Sequence, residues 1–188
     1  MGSESKASVF IATSLDGFIA RLDGGLDWLP EECEPHGYDE FMATIDAIVI
    51  GRKTFEVVLG FGSWPYNKVP VIVLSKNPAA LKAPKRAKCD FMAGTPRQIV
   101  DRLAQRGLKN LYIDGGVTIQ GFLNAGLIQR LIITRIPVLL GSGIPLFGAL
   151  KRDIRLQHVA TRSYPSGIVQ GEYVISPKKP KPKSKPRT

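Results

Sequence analysis

The chain has 188 residues, of which 44% are hydrophobic and 22% are charged, a composition typical of a globular domain and not of a disordered or fibrous chain. Its apolar runs, such as Ala47–Gly51 and Ile136–Leu140, are far shorter than the roughly 20 residues of a membrane-spanning helix, so no membrane segment is expected. The net charge of +10 favours a nucleic acid or another anion as partner. Where the positive charges lie along the chain indicates which of these partners to expect.

Eight segments rich in Val, Ile and Phe, each bounded by Gly, Pro or charged residues, are predicted as strands. In chain order they are Ser8–Ser14, Ala47–Ile50, Val71–Ser75, Cys89–Met92, Asn110–Asp114, Arg130–Leu139, Ile154–Arg162 and Ile168–Ile175. Helical patterns lie between several of them, at Tyr38–Thr44, at Lys53–Leu59, from the N-cap Thr95 to a stop at Gly107, and at Thr118–Ala125. Strands that alternate with helices predict a mainly parallel sheet with both faces covered.

The last three predicted strands follow one another without a helix, and Tyr164–Gly167 has the composition of a turn. This pattern predicts an antiparallel hairpin at the edge of the sheet. The apolar segment Leu131–Leu140 either extends a sheet across the boundary of a homodimer or lies centrally in its own sheet. The folded domain is expected to span residues 8–175, after a flexible N-terminus at 1–7.

The last thirteen residues, Ser176–Thr188, contain six Lys or Arg and no acid, so they carry +6 of the net charge and leave +4 for the rest. Their Lys/Pro pattern predicts a disordered or polyproline-like tail, through which the protein could bind nucleic acid. The polar N-terminus lacks a secretory signal. Cys33 and Cys89 form neither a Cys-x-x-Cys pair nor a metal-ligand spacing, so a cytoplasmic protein without a metal is expected.

The most informative segment is a buried strand, Ile48–Gly51, that passes through glycine into a helix beginning Arg52–Lys53–Thr54. A helix N-terminus carries unpaired N–H groups and about half a positive charge, so two further cations are unfavourable there unless an anion binds. The alternative is a solvated Arg-Lys pair at a helix start. The pattern favours an anion site at Gly51, Arg52, Lys53 and Thr54.

Two more strand ends carry groups suited to phosphate. Gly115–Gly116–Val117–Thr118 follows one strand, and glycine there permits close approach of a ligand to the backbone. Another strand delivers the Ser75 hydroxyl and the Lys76 ammonium. Neither segment is decisive alone, because tight turns use Gly-Gly widely. Ligands of open α/β sheets bind at the carboxyl ends of the strands, so three such ends in one small domain predict a phosphorylated ligand.

These segments, in this order and together with Phe10–Ala20, resemble the dihydrofolate reductase superfamily. Within it they most resemble the reductase domain of the riboflavin-biosynthesis deaminase-reductase and its stand-alone relatives. The resemblance covers residues 8 to about 175 and rests on S-L-D-G-F-I-A (14–20), G-R-K-T-F-E (51–56), W-P-Y (64–66), D-G-G (114–116) and L-L-G-S-G-I-P-L-F (139–147). It implies a dihydrofolate-reductase-like α/β fold, with about eight strands in a mixed, mainly parallel sheet and a C-terminal antiparallel hairpin.

The resemblance also implies NADPH as the cofactor. NADP is favoured over NAD because its extra 2′-phosphate needs cations where NAD enzymes place an acid. The implied contacts are Ala12, Ile19 and Ala20 at the nicotinamide, Gly51, Arg52, Lys53 and Thr54 at the phosphates, Ser75 and Lys76 near the 2′-phosphate, and Gly115, Gly116, Val117 and Thr118 around the pyrophosphate.

The substrate side departs from the folate-reducing members, in which an acid on the first helix assists protonation. The matching position here holds Gly37 or Pro35, which argues against dihydrofolate itself. The candidate proton donors are Asp39, Glu40, Asp27 or water, although acids near a helix start also arise from capping preferences. The candidate substrate contacts are Asp16, Trp28, Trp64 and Ser142, of which the two tryptophans either stack a flat heterocycle or close the core.

The predicted activity is hydride transfer from NADPH to a C=N or C=O group of a small pterin-like or ribosylaminopyrimidine-like substrate. The resemblance therefore implies an NADPH-dependent oxidoreductase similar to 5-amino-6-(5-phosphoribosylamino)uracil reductase or to dihydrofolate reductase. The zinc motif of the deaminase half is absent from this sequence, so only the reductase half is expected. Two alternatives remain, a cofactor-binding protein without turnover and a nucleic-acid-binding protein that uses the basic tail.

Overall fold

The structure is a computed structural model that describes residues 5–30, 35–66, 69–85 and 87–175. Cys33 and the predicted tail at 176–188 lie outside the described residues. The strands are β1 (Lys6–Ser14), β2 (Phe18–Ala20), β3 (Ala47–Gly51), β4 (Val71–Leu74), β5 (Cys89–Met92), β6 (Asn110–Asp114), β7 (Arg130–Ile136), β8 (Ile144–Pro145), β9 (Leu156–Ser163) and β10 (Val169–Ile175). The helices are α1 (Tyr38–Met42), α2 (Arg52–Leu59), α3 (Pro96–Gln105) and α4 (Gly116–Asn124), with one 3₁₀ turn at Pro78–Ala80.

Eight of these strands form one sheet in the order β5-β4-β3-β6-β1-β7-β10-β9. Every neighbouring pair from β5 to β7 is parallel, whereas β10 pairs antiparallel with both β7 and β9. The predicted mixed, mainly parallel sheet with a C-terminal antiparallel hairpin is therefore confirmed. The strand β7 lies between β1 and β10, so the apolar segment that begins at Leu131 is central in its own sheet and extends no sheet across a boundary.

Helices cover both faces of the sheet because alternate strand residues point to opposite sides. On one face, α3 and α4 bury Ile99, Leu103, Ile119 and Phe122 against the strands. On the other face, α1 buries Phe41, and α2 buries Phe55 and Val58. None of the described helices is long and apolar enough to cross a membrane.

A second sheet of two short strands, β2 and β8, was not predicted from the sequence. This second sheet forms because β7 ends at Ile136, three residues before Leu139, the end predicted from the sequence. Pro137 has no N–H to continue the ladder, and the Val138 N–H instead donates to the Ile136 carbonyl at 2.8 Å, which turns the chain. The chain then returns as Ile144–Pro145 against β2, above the carboxyl end of the main sheet.

The helices differ in how they begin. At α3, the Thr95 hydroxyl accepts from the Gln98 N–H, and the Gln98 side chain accepts from the Thr95 N–H, which completes a capping box. At α2 and α4 the N-cap residues are Gly51 and Gly115, and no side chain caps the first turn. The N–H groups at these two helix starts are thus available to a ligand.

Candidate active site

The starts of α2 and α4 lie side by side at the carboxyl edge of the sheet, because β3 and β6 are neighbouring strands. A Cβ atom added to Gly115 would overlap the Thr54 Oγ1 atom, and one added to Gly51 would lie 2.9 Å from the Thr118 Oγ1 atom. Gly115 also has a φ of +89°, which favours glycine. We call the two facing segments, 51–54 and 115–118, the twin-turn cradle.

The cradle has positive charge beside it. Arg52 and Lys53 are exposed in the first turn of α2, and the Arg52 Nη1 atom lies 3.5 Å from the Glu56 Oε1 atom. The next strand, β4, brings Ser75 and Lys76 to the same edge, since Leu74 is in register with Gly51. The structure therefore places the three predicted strand ends together.

The small β2–β8 sheet covers the start of α4. Ile19 and the Pro145 carbonyl each lie 3.1 Å from the position of a Cβ atom on Gly116. Ala20 is buried and pairs with Ile144, whereas Val117 is 80% exposed. Of the predicted nicotinamide residues, Ile19 and Ala20 thus lie over the cradle, and Ala12 lies on β1 in the main sheet.

Ala12 also lines a cavity of about 170 Å³ on the side of the sheet that carries α1. The lining residues are Phe10, Ala12, Leu29, Pro30, His36, Thr134, Ile136, Tyr164 and Ile168. The buried Gln170 amide donates to both the His36 carbonyl and the Thr134 hydroxyl oxygen, each at 3.0 Å. These bonds tie the segment before α1 to the main sheet and fix one wall of the cavity.

A half-buried carboxyl group at the end of β6 was missed by the sequence analysis. Asp114 accepts a hydrogen bond of 2.7 Å from the Gly115 N–H, and burial raises the pKa of its carboxyl to about 6. Burial, with the nearby charge of Asp114, also raises the pKa of Tyr38 to about 12. The detectable signal was an acid at the end of an otherwise buried, apolar strand.

Tyrosines that lie near Asp114 also contact Phe10, which lines the cavity. The buried Tyr112 hydroxyl donates to the Phe10 carbonyl at 2.8 Å, and the Tyr38 ring centroid lies 5.4 Å from that of Phe10. The charge of Asp114 contributes to raising the pKa of both Tyr112 and Tyr66 above the usual range, after the larger effect of burial. Asp114 therefore lies beside the cradle and close to these three tyrosines.

The three acids predicted as proton donors lie elsewhere. Asp27 is exposed and forms a two-bond ion pair with Arg21, at 2.6 and 2.8 Å, which lowers the pKa of the Asp27 carboxyl. Asp39 and Glu40 are exposed on α1, whose buried residue is Phe41. None of the three lines the cavity. For Asp39 and Glu40 the reason is that the short α1 turns Phe41 inward and these two acids outward.

The predicted substrate contacts have mixed positions. The Asp16 carboxylate accepts from the Ser14 hydroxyl and from the N–H groups of Leu140 and Gly141, which lowers its pKa and fastens the loop before β8. Ser142 is exposed in that loop. Asp16 thus positions the loop, and its contact with a substrate stays a prediction.

The two tryptophans also differ in role. Trp64 packs edge-on against Phe55 and Tyr66, with ring centroids 6.2 and 5.4 Å apart, so it closes the core. Trp28 is partly buried and directly precedes the cavity residue Leu29. Trp64 thus packs against the core, and stacking of a heterocycle by either tryptophan stays a prediction.

Comparisons with known proteins agree on one relationship. The family model of the RibD C-terminal domain matches residues 6–170. The uncharacterized protein YwjB of Bacillus subtilis (strain 168) is 37% identical over 175 residues, which are 91% of this chain and 98% of that protein. A putative riboflavin biosynthesis protein from Shewanella sp. PV-4 is 40% identical, with a TM-score of 0.83 over 92% of this chain and 99% of that one. Dihydrofolate reductase from Enterococcus faecalis, solved with NADP(H), shares the fold, with 21% identity and a TM-score of 0.66 over 92% of this chain and 97% of that one.

Proposed function

The chain belongs to the RibD C-terminal domain family, and from that premise we propose that it is an NADPH-dependent reductase of a small heterocyclic substrate. The supporting observation is the twin-turn cradle, two helix starts without side-chain caps that face each other at the carboxyl edge of the sheet. The substrate is pterin-like or ribosylaminopyrimidine-like, and 5-amino-6-(5-phosphoribosylamino)uracil is the first compound to test. When bound, NADPH supplies the hydride that reduces a C=N or C=O carbon.

The cradle suits the pyrophosphate of such a cofactor. Each helix start carries unpaired N–H groups and about half a positive charge, so two of them together favour a group with two negative phosphates. Glycine at 51 and 115 lets the two helix starts approach each other, because a Cβ atom at either position would meet a threonine hydroxyl of the facing segment. The Thr54 and Thr118 hydroxyls supply further donors, and the exposed Arg52 and Lys53 add charge.

The third phosphate of NADPH, the 2′-phosphate on the adenosine ribose, is assigned to Ser75 and Lys76. The Ser75 N–H donates to the Met92 carbonyl, and the Ser75 hydroxyl accepts from the Asn77 N–H at 3.1 Å, so the turn after β4 is ordered. Ser75 is half-buried and Lys76 is exposed at this edge, and the Ser75 hydroxyl keeps its own hydrogen to donate.

Replacing Lys76 with alanine should weaken NADPH binding about tenfold and leave NADH binding unchanged. One charge-assisted contact to phosphate contributes about 1.4 kcal/mol, which corresponds to that factor. The measurement is a fluorescence titration with each dinucleotide. Lys88→Ala is the matched control, since Lys88 is exposed at the opposite, amino end of the sheet. An equal loss for NADH and NADPH, or the same loss with Lys88→Ala, would contradict the assignment.

We assign the proton of the reaction to Asp114. A carboxyl with a pKa of about 6 retains part of its proton near neutral pH, whereas the paired Asp27 is a poor donor. The Gly115 N–H holds the Asp114 carboxyl at the start of α4, beside the cradle. Asp114 therefore takes the role that the sequence analysis gave to Asp39, Glu40 or Asp27.

A homodimer and a cytoplasmic location stay predictions. The strand β9 forms one of the two edges of the described sheet, the other being β5, and all residues of β9 except Ala160 are exposed. An unpaired edge of this kind offers backbone groups to a second copy of the chain. If a dimer forms, β9 is the surface we expect it to use, in place of the segment at Leu131–Leu140.

A further inference from the structure

The cavity wall contains a hydroxyl group for which the described part of the chain offers no hydrogen-bond partner. Tyr164 begins the turn between β9 and β10, where its N–H donates to the Ile168 carbonyl and its carbonyl accepts from the Gly167 N–H, both at 2.9 Å. Its ring lines the cavity. Its hydroxyl oxygen is buried and has no hydrogen-bond partner among the described residues. A hydrogen-bonded turn therefore holds this hydroxyl against the cavity.

An unpaired buried hydroxyl is unfavourable for folding, since water no longer satisfies it and no protein group replaces the water. Most of the cavity wall cannot satisfy it, because Phe10, Ile136 and Ile168 are apolar. The Thr134 hydroxyl oxygen already accepts from Gln170. A ligand in the cavity is the natural partner of the Tyr164 hydroxyl, which is then a recognition element.

The size and shape of the cavity limit that ligand. A cavity of about 150 Å³ in another protein holds one benzene ring, so 170 Å³ accommodates one flat ring with a small substituent. Phe10 and Ile136, in the neighbouring strands β1 and β7, supply apolar surface for such a ring. A phenolic O–H donates well to a carbonyl oxygen.

We propose that Tyr164 determines substrate specificity, by donating a hydrogen bond to a carbonyl oxygen on the edge of a single heterocyclic ring bound in this cavity. The proposal deepens the proposed function and rests on it in one respect, that the cavity holds the ring portion of the reduced substrate. It narrows the substrate to rings with a carbonyl edge, such as pyrimidinones and pyridones.

The test uses two ring probes of similar size, 2-pyridone, which has the carbonyl, and benzene, which has none. Binding is followed by the methyl NMR signals of Ile136 and Ile168 in the full chain. Tyr164→Phe should weaken 2-pyridone binding at least tenfold and leave benzene binding within twofold. Tyr173→Phe, in the same hairpin but packed against the core on the other face of the sheet, is the matched control and should change neither.

Several outcomes would overturn the proposal. These are unchanged 2-pyridone binding in Tyr164→Phe, an equal loss for both probes, or no shift of the Ile136 and Ile168 methyl signals by either probe. Because the variant removes only an unpaired hydroxyl, its thermal stability should equal or exceed that of the original protein, which checks that it folds. An NADPH titration of the same sample tests the proposed function separately, since a protein that discriminates the probes but binds no NADPH retains the Tyr164 assignment and loses the reductase assignment.

Discussion

Replacing Gly115 with alanine should weaken NADPH binding at least 100-fold and destabilise the fold by about 2–4 kcal/mol. The φ of +89° is unfavourable for any residue with a Cβ atom. That Cβ atom would also overlap the Thr54 Oγ1 atom, so either α2 moves away or the Gly115 turn opens. Both movements separate the two halves of the cradle, which bind the pyrophosphate together in our account.

The control for Gly115→Ala separates backbone strain from loss of the cradle. Gly107 has a φ of +80° and open space around its Cβ position, and it follows α3 near the amino end of the sheet. Gly107→Ala should therefore lose stability by about 1–2 kcal/mol through strain and bind NADPH normally. Unfolding by urea and NADPH titration of both variants are the measurements. Normal NADPH affinity in folded Gly115→Ala would mean that the cradle does not hold the cofactor.

Replacing Asp114 with asparagine should lower the rate of substrate reduction by a factor of about 10² to 10⁴, the usual contribution of a general acid. The rate with the original protein should fall as the pH rises through about 6, because the carboxyl loses the proton that it donates. The measurement is NADPH oxidation between pH 5 and 8 with 5-amino-6-(5-phosphoribosylamino)uracil.

The same Asp114→Asn substitution should raise stability at alkaline pH. The folded-state pKa of about 6 lies above the ordinary value of 3.8, so the stability associated with this carboxyl is present below about pH 4 and is lost as the pH rises through 6. The ionised carboxylate then costs up to about 3 kcal/mol, and asparagine avoids that cost. Asp101→Asn, at an exposed position on α3, should change neither the reduction rate nor the stability at alkaline pH.

An undiminished reduction rate in Asp114→Asn would refute the role of Asp114 as the proton donor.

Local chemistry made the cradle predictable from the sequence. A buried apolar strand that ends in glycine and continues into a helix can be recognised within about ten residues, as at Gly51 and Gly115. The carboxyl ends of parallel strands meet at one edge, so the positions of Thr54, Lys76 and Thr118 followed from the predicted topology.

The cavity and its polar groups depend on contacts between segments far apart in sequence. Tyr164 reaches Phe10 and Ile136 only because β10 folds back beside β7, and no local pattern at the turn indicates an unpaired hydroxyl. The raised pKa of Asp114 likewise depends on burial by other elements. Asp39 and Glu40 illustrate the converse, since a plausible sequence position did not reveal that α1 turns them outward.

The most direct test of the account is transfer of deuterium from NADPH that carries deuterium at both C4 positions of the nicotinamide to 5-amino-6-(5-phosphoribosylamino)uracil, followed by mass spectrometry. If the protein is a reductase, each product molecule should contain one deuterium, and one NADPH should be consumed for each product molecule formed. Dihydrofolate, tested in parallel, checks the alternative pterin-like substrate. Binding of NADPH without deuterium transfer to either compound would contradict the account and identify a cofactor-binding protein without turnover.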